Sequence, residues 1–297
     1  MAEIRGVIAA MVTPFTARGA RVDWDWIPAH IDYLRRRGID GVLVTGTNGE
    51  FASLTVAERK RIAEVVAGAA EGIPFWVGTG SPALPEAIEL TRHALEKGAA
   101  AVLVIPPYYF KGVPREGLVA YYRTLLAEAV PAGRGILLYN IPHYSGVALE
   151  PELIEALLKR QAGGVLGLKD SSKDVEHIRA YVERFPDLAI YVGSDEHAQE
   201  ALRAGAMGIV SAVANVFPTL VGEVYQAFRK RDDSAGPQRR LSQVRALLDK
   251  YPSIAALKYM LHVMGGLPET HTRPPWRDLS DQEKDLLWQD LEHLGLL

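Results

Sequence analysis

A lysine closes an otherwise small and apolar run in the stretch GVLGLKDSSKD, residues 164–174. Lysine is seldom buried without a partner. Lys169 therefore either reaches solvent or keeps its amine in a partly dry pocket for a purpose. An amine attacks a ketone only when neutral, and an apolar setting favours the neutral form. The resulting iminium is an electron sink that eases making or breaking of the neighbouring C–C bond. That chemistry needs a proton carrier, and Tyr139 stands near the end of another apolar run, GILLYN, 30 residues earlier. If the two runs are adjacent strands, about 4.8 Å apart, phenol and amine can meet. A substrate carboxylate needs donors. The segment GTNGE offers backbone N–H groups and the side chains of Thr47 and Asn48, just ahead of a helical stretch.

Each residue also has a plainer reading. A strand-end lysine is often a solvated residue, a tyrosine there is often a packed ring, and GTNGE is equally an ordinary βα loop. Asp195 and Glu196 can serve merely to cap a following helix, where its dipole favours them. Lys258, in SIAALKYMLHVM, is a second candidate for the reactive amine, but mid-helix lysines normally extend to water. The eight histidines show no H-x-H or H-E-x-x-H spacing, so neither a metal nor another cofactor is expected.

Composition narrows the classes. The 297 residues are 48% hydrophobic and 23% charged, with a net charge of −3, as in an ordinary globular protein with no basic footprint for nucleic acid. The absence of cysteine excludes disulfides, thiolate metal sites and cysteine nucleophiles. The N-terminal run MAEIRGVIAAMVTPF carries Glu3 before its apolar part and Pro14 within it, unlike a signal peptide. No stretch approaches the ~18 apolar residues of a membrane span. A cytoplasmic protein is expected.

Eight short apolar runs, at 6–12, 41–46, 75–80, 100–105, 135–140, 165–170, 189–194 and 208–213, read as strands buried on both faces. Helical patterns alternate with them. DWIPAHIDYLRRRG stops at Gly38; LTVAERKRIAEVVAGAA carries Thr55 as cap with Glu58 three residues on; SPALPEAIELTRHALEKG places Ser81 as cap and Gly98 as stop. This alternation predicts an α/β fold, a (β/α)8 TIM barrel. The rival open sheet would want a G-x-G-x-x-G turn, which is absent after the early strands. The barrel is expected over 1–230. The remainder, 231–297, reads as a C-terminal helical extension packed on it, joined by a polar connector at 231–240.

Barrel enzymes place their active residues at the C-terminal ends of strands. Those ends gather Thr13, Thr45, Thr47, Asn48, Glu50, Tyr108, Tyr109, Tyr139, His143, Tyr144, Lys169, Asp170, Asp195, Glu196, Ser211 and Asn215. Hydroxyls dominate, and one lysine stands among them.

GTNGE, YNIP and GLKDSS, in that order on strands two, five and six, resemble the dihydrodipicolinate synthase and N-acetylneuraminate lyase superfamily of class I, pyruvate-dependent aldolases. The resemblance runs from GVIAAMVTPF to GLPETHTRPPW. It implies that Lys169 is the Schiff-base lysine, Tyr139 the proton relay, and Thr47 the hydroxyl that links to the tyrosine and helps bind the pyruvate carboxylate. Asn48 stands where the family often has a second Thr or Ser. Tyr109 matches a tyrosine that, in many members, reaches into a neighbouring subunit's site, and a homo-oligomer is implied, a tetramer or a tight dimer. Dihydrodipicolinate synthases typically carry an arginine two residues after the YNxP proline. That position is Tyr144 here, and tyrosine cannot supply arginine's planar fork. GSDE is similar to the lyase branch, in which Asp195 and Glu196 would bind substrate hydroxyls and Ser211 would add a polar contact. His143, Tyr144, Gly193 and Val210 would complete the substrate lining. The Thr47–Asn48 pair resembles that of 4-hydroxy-2-oxoglutarate aldolases, and the expected reaction is reversible cleavage of a 4-hydroxy-2-oxo acid, such as 4-hydroxy-2-oxoglutarate or a 2-keto-3-deoxy sugar acid, to pyruvate and an aldehyde. The alternatives are condensation of pyruvate with aspartate semialdehyde, an imine-dependent dehydratase, and a non-catalytic keto-acid sensor.

Overall fold

A computed structural model describes residues 5–159, 164–232 and 235–297. Glu3, and with it the acidic start of the N-terminal run, lies outside the described residues. The strands are β1 Gly6–Ala10, β2 Gly41–Val44, β3 Phe75–Gly78, β4 Ala101–Val104, β5 Ile136–Asn140, β6 Val165–Asp170, β7 Ala189–Val192 and β8 Gly208–Ser211. Each pairs in parallel with its neighbour in sequence, and β8 returns to β1, closing a (β/α)8 TIM barrel.

The uninterrupted apolar runs are explained by two cores. Alternate residues such as Ile8, Leu43, Trp76, Leu103 and Leu137 point into the barrel. Their neighbours, such as Val7, Val42, Val77 and Val102, pack outward against the helices. The helices are α1 Trp26–Arg35, α2 Val56–Ala69, α3 Leu84–Glu96, α4 Arg115–Ala129, the single turn α5 Pro142–Ser145, and α6 Pro151–Leu158. α7 Val175–Arg184, α8 Ala198–Arg203 and α9 Pro218–Lys230 complete the ring. Beyond it lie α10 Ala235–Leu248, α11 Ser253–Val263 and α12 Asp281–His293. No helix among the described residues is long and apolar enough to cross a membrane.

Several boundaries differ from the sequence reading. β1, β2, β3, β7 and β8 each stop two residues early. After β2 the chain turns at Thr45, whose φ of +52° is rare for a β-branched residue. Its hydroxyl secures that conformation by donating to Gly78 O at 2.8 Å. After β1, Val12 N–H leaves the ladder for the Asn215 side chain at 3.1 Å. Thr55 and Glu58 do form a capping box on α2. Ser81 does not cap α3: the helix begins after Ala83, while the Ser81 hydroxyl donates to Glu86 at 2.8 Å. The stretch 231–240 is not a connector throughout, because α10 starts at Ala235, seating Leu241, Val244, Leu247 and Leu248 in the core.

Candidate active site

β5 and β6 place the central pair by register. Tyr139 lies directly opposite Lys169, and alternation turns both into the barrel. The Lys169 Nζ donates to the Tyr139 hydroxyl at 3.2 Å, and Tyr139 OH stands 3.3 Å from Thr47 Oγ1. Lys169 is 5% exposed and has no ion-pair partner among the described residues. Just past the end of the neighbouring strand β7, Gly193 is required for space: a Cβ there would fall 2.8 Å from Lys169 Cε and collide with the Ser171 hydroxyl.

The GTNGE loop is fixed from both sides. Thr13 Oγ1 donates to Gly49 O at 2.7 Å, and Asn48 Nδ2 reaches Ala10 O at 3.4 Å. Glu50 follows with φ +53° and is buried. Its carboxylate takes Lys258 Nζ at 2.6 Å and Arg273 N–H at 3.0 Å. This overturns the expectation that Lys258 extends to water. It is 1% exposed and also donates to His271 O at 2.6 Å. Burial, partly opposed by Glu50, lowers its pKa to about 8. Lys258 is thus committed to the loop's underside and does not line the cavity described next.

A cavity of about 300 Å³ opens at the barrel mouth. Lys169, Tyr139, Thr47, Asn48, His143, Tyr144, Gly193, Asp195, Glu196 and Val210 all line it. Ser211 lies just behind. Its hydroxyl accepts from Ala214 N–H at 2.9 Å and hydrogen-bonds the Asp195 carboxyl. Asp195 is buried at the start of a 3-10 turn rather than capping from the surface. Burial pushes its carboxyl above the usual range, opposed by Ser211 and by the charge of Arg245. Glu196 pairs with Lys173 at 3.4 Å. Partial burial, then Lys173, lowers the His143 imidazole below its ordinary value. Tyr109 does not line the cavity; it is 73% exposed and stacked edge-on with Phe110.

Sequence reasoning did not single out Ser171, Lys173, Ser194, Arg245, Asp249 and Ser253 as lining residues. Ser171 and Lys173 were within the opening motif, where their neighbourhood was the available signal. Arg245 on α10, Asp249 just past its end and Ser253 at the start of α11 lie over the mouth and carry no local signal. The Ser171 and Ser194 hydroxyls and Asp195 Oδ1 are buried without a hydrogen-bond partner among the described residues. Among those residues no group of three His, Asp or Glu converges as metal ligands.

An amine, a phenol and a hydroxyl in sequence, beside a loop of donors, can form and protonate an imine of a 2-oxo acid. Comparison with known proteins agrees. Residues 3–294 match the model of the dihydrodipicolinate synthetase family. The uncharacterized DapA-like lyase of Chloroflexus aurantiacus is 41% identical, over 95% of this chain and 94% of its own. The 4-hydroxy-tetrahydrodipicolinate synthase of Methanopyrus kandleri is 34% identical, over 99% and 98%. The crystal structure of YagE, a prophage protein from Escherichia coli K12 in complex with pyruvate, superposes with a TM-score of 0.92 at 30% identity, over the full length of both chains.

Proposed function

This chain belongs to the dihydrodipicolinate synthetase family of lyases, and from that membership we propose that it reversibly cleaves a 4-hydroxy-2-oxo acid to pyruvate and an aldehyde through a Lys169 imine. The carrying observation is the Lys169–Tyr139–Thr47 chain of contacts, 3.2 and 3.3 Å long, inside a buried barrel mouth.

Lys169 attacks the C2 ketone, and the carbinolamine loses water to give the iminium. Tyr139, hydrogen-bonded to Thr47, hands over the protons of those steps. The C1 carboxylate lies against the GTNGE loop, where Thr47 and Asn48 present their side chains. Loss of the C4 hydroxyl proton, relayed to Tyr139, breaks the C3–C4 bond; the electron pair passes into the iminium and leaves an enamine. The aldehyde departs, C3 takes a proton, and hydrolysis frees pyruvate and the amine. Tyr109, exposed at the rim, is assigned to a neighbouring copy in a tetramer or tight dimer.

The Methanopyrus kandleri relative favours a second reading, condensation of pyruvate with aspartate semialdehyde. Tyr144 speaks against it, since it offers no bidentate fork for the second carboxylate. Product analysis separates the readings. Pyruvate and a free aldehyde released from a 4-hydroxy-2-oxo acid support the lyase. A 2,5-dioxo product would make it a dehydratase, and turnover restricted to aspartate semialdehyde would make it a synthase.

A further inference from the structure

We propose that Arg245, on α10 outside the barrel, and Asp249, the residue just past that helix, determine which aldehyde the cavity accepts, selecting an uncharged polyhydroxylated aldehyde over one bearing a carboxylate. The inference rests on the imine reading of Lys169 and concerns the opposite, aldehyde end of the same cavity.

α10 is stitched to the mouth by one side chain. Gln238 Nε2 donates to Asp195 O at 2.9 Å and to Glu196 O at 3.1 Å. Arg245 lies seven residues further on, a spacing that keeps it on the same helix face as Gln238, and Asp249, one residue past the helix end, follows it with its N–H donating to Arg245 O at 3.1 Å. Both line the cavity. They also form an ion pair with each other, the Arg245 Nε donating to Asp249 Oδ2 at 3.3 Å.

The charges facing the aldehyde end are therefore matched. Arg245 is held by Asp249, and Lys173, on the loop after β6, by Glu196, on the loop after β7. His143, on α5, has its imidazole pushed toward the neutral form. Asp195 adds a further carboxyl beside Arg245. Apart from Lys169, every described cation lining this cavity already has an acidic partner. A second substrate carboxylate would have to displace one of those partners and then lie near the Asp195 carboxyl. Hydroxyls meet no such barrier. They both donate and accept, and Ser171, Ser194 and Asp195, whose Oγ, Oγ and Oδ1 lack hydrogen-bond partners among the described residues, all line the cavity. Arginine has five N–H donors, and the pairing with Asp249 leaves some to meet a hydroxyl.

The test measures kcat/KM for pyruvate condensation with glyceraldehyde and with glyoxylate. Wild type is expected to favour glyceraldehyde. Asp249→Asn frees the Arg245 charge and should shift the ratio toward glyoxylate by about tenfold or more, the scale of one charge-assisted hydrogen bond. The double variant Asp249→Asn, Arg245→Gln should return it toward the wild-type value. Borohydride trapping of pyruvate is run on each protein, since an adduct also reports a folded site. An adduct with an unchanged ratio in Asp249→Asn, or a wild type that prefers glyoxylate, overturns this inference alone. No adduct in wild type overturns the imine reading, and this inference with it.

Discussion

Asn140 Nδ2 donates to Asp170 Oδ2 across 2.7 Å, one residue beyond Tyr139 and Lys169 on the same two strands and on the opposite face of the sheet. Both side chains are buried. Asn140 Oδ1 also accepts Leu149 N–H at 3.0 Å, and Asp170 Oδ1 accepts from the Ser172 backbone at 2.9 Å and hydroxyl at 2.6 Å. The pair that faces the cavity is thus backed by a polar pair facing the helices. This brace fixes the separation of the strand ends independently of the phenol–amine contact.

Removal of the Tyr139 hydroxyl should therefore leave the frame intact and affect the chemistry. Tyr139→Phe is expected to keep the thermal transition near that of wild type while lowering kcat by about 10²–10⁴, the usual worth of a positioned acid–base group. Steady-state kinetics and a melting curve check it together. An unchanged rate would remove Tyr139 from proton transfer.

The buried Glu50–Lys258 pair ties the GTNGE loop to α11. Lys258→Met strands the Glu50 carboxylate without its cation, which typically costs about 3–5 kcal/mol. Lys258→Met with Glu50→Gln should recover most of that loss. Urea unfolding gives the answer, and a loss below about 1 kcal/mol in the single variant contradicts the account.

His30 supplies a pH dependence. It is fully buried, with Nε2 3.2 Å from Asn215 O, and burial lowers its pKa from 6.5 to about 4. Between those values the unfolded chain binds the proton and the folded one does not. Its stabilisation is complete above pH 6.5 and is lost as pH falls toward 4, by about 3 kcal/mol in all. His30→Gln should flatten the stability–pH curve in that interval. A curve as steep as that of wild type would assign the loss to other groups.

The sequence made the barrel legible because burial on both sheet faces leaves a continuous apolar run for each strand. It misplaced the strand ends where side chains take over from the ladder, as Asn215 does at Val12 and Thr45 does at Gly78. Lys169, Tyr139 and Thr47 were legible because strand ends in a parallel barrel converge. Arg245 and Asp249 were not, since an i, i+4 pair on a helix is indistinguishable by sequence from a surface pair until α10 is seen to fold over the mouth. Lys258 was misjudged for a related reason: its partner, Glu50, is 208 residues away.

The central claim is covalent, and one measurement addresses it. Reduction with borohydride in the presence of pyruvate, followed by peptide mass mapping, should place a reduced pyruvate adduct on Lys169 and none in Lys169→Ala. An adduct on Lys258, or no adduct in wild type, would contradict it.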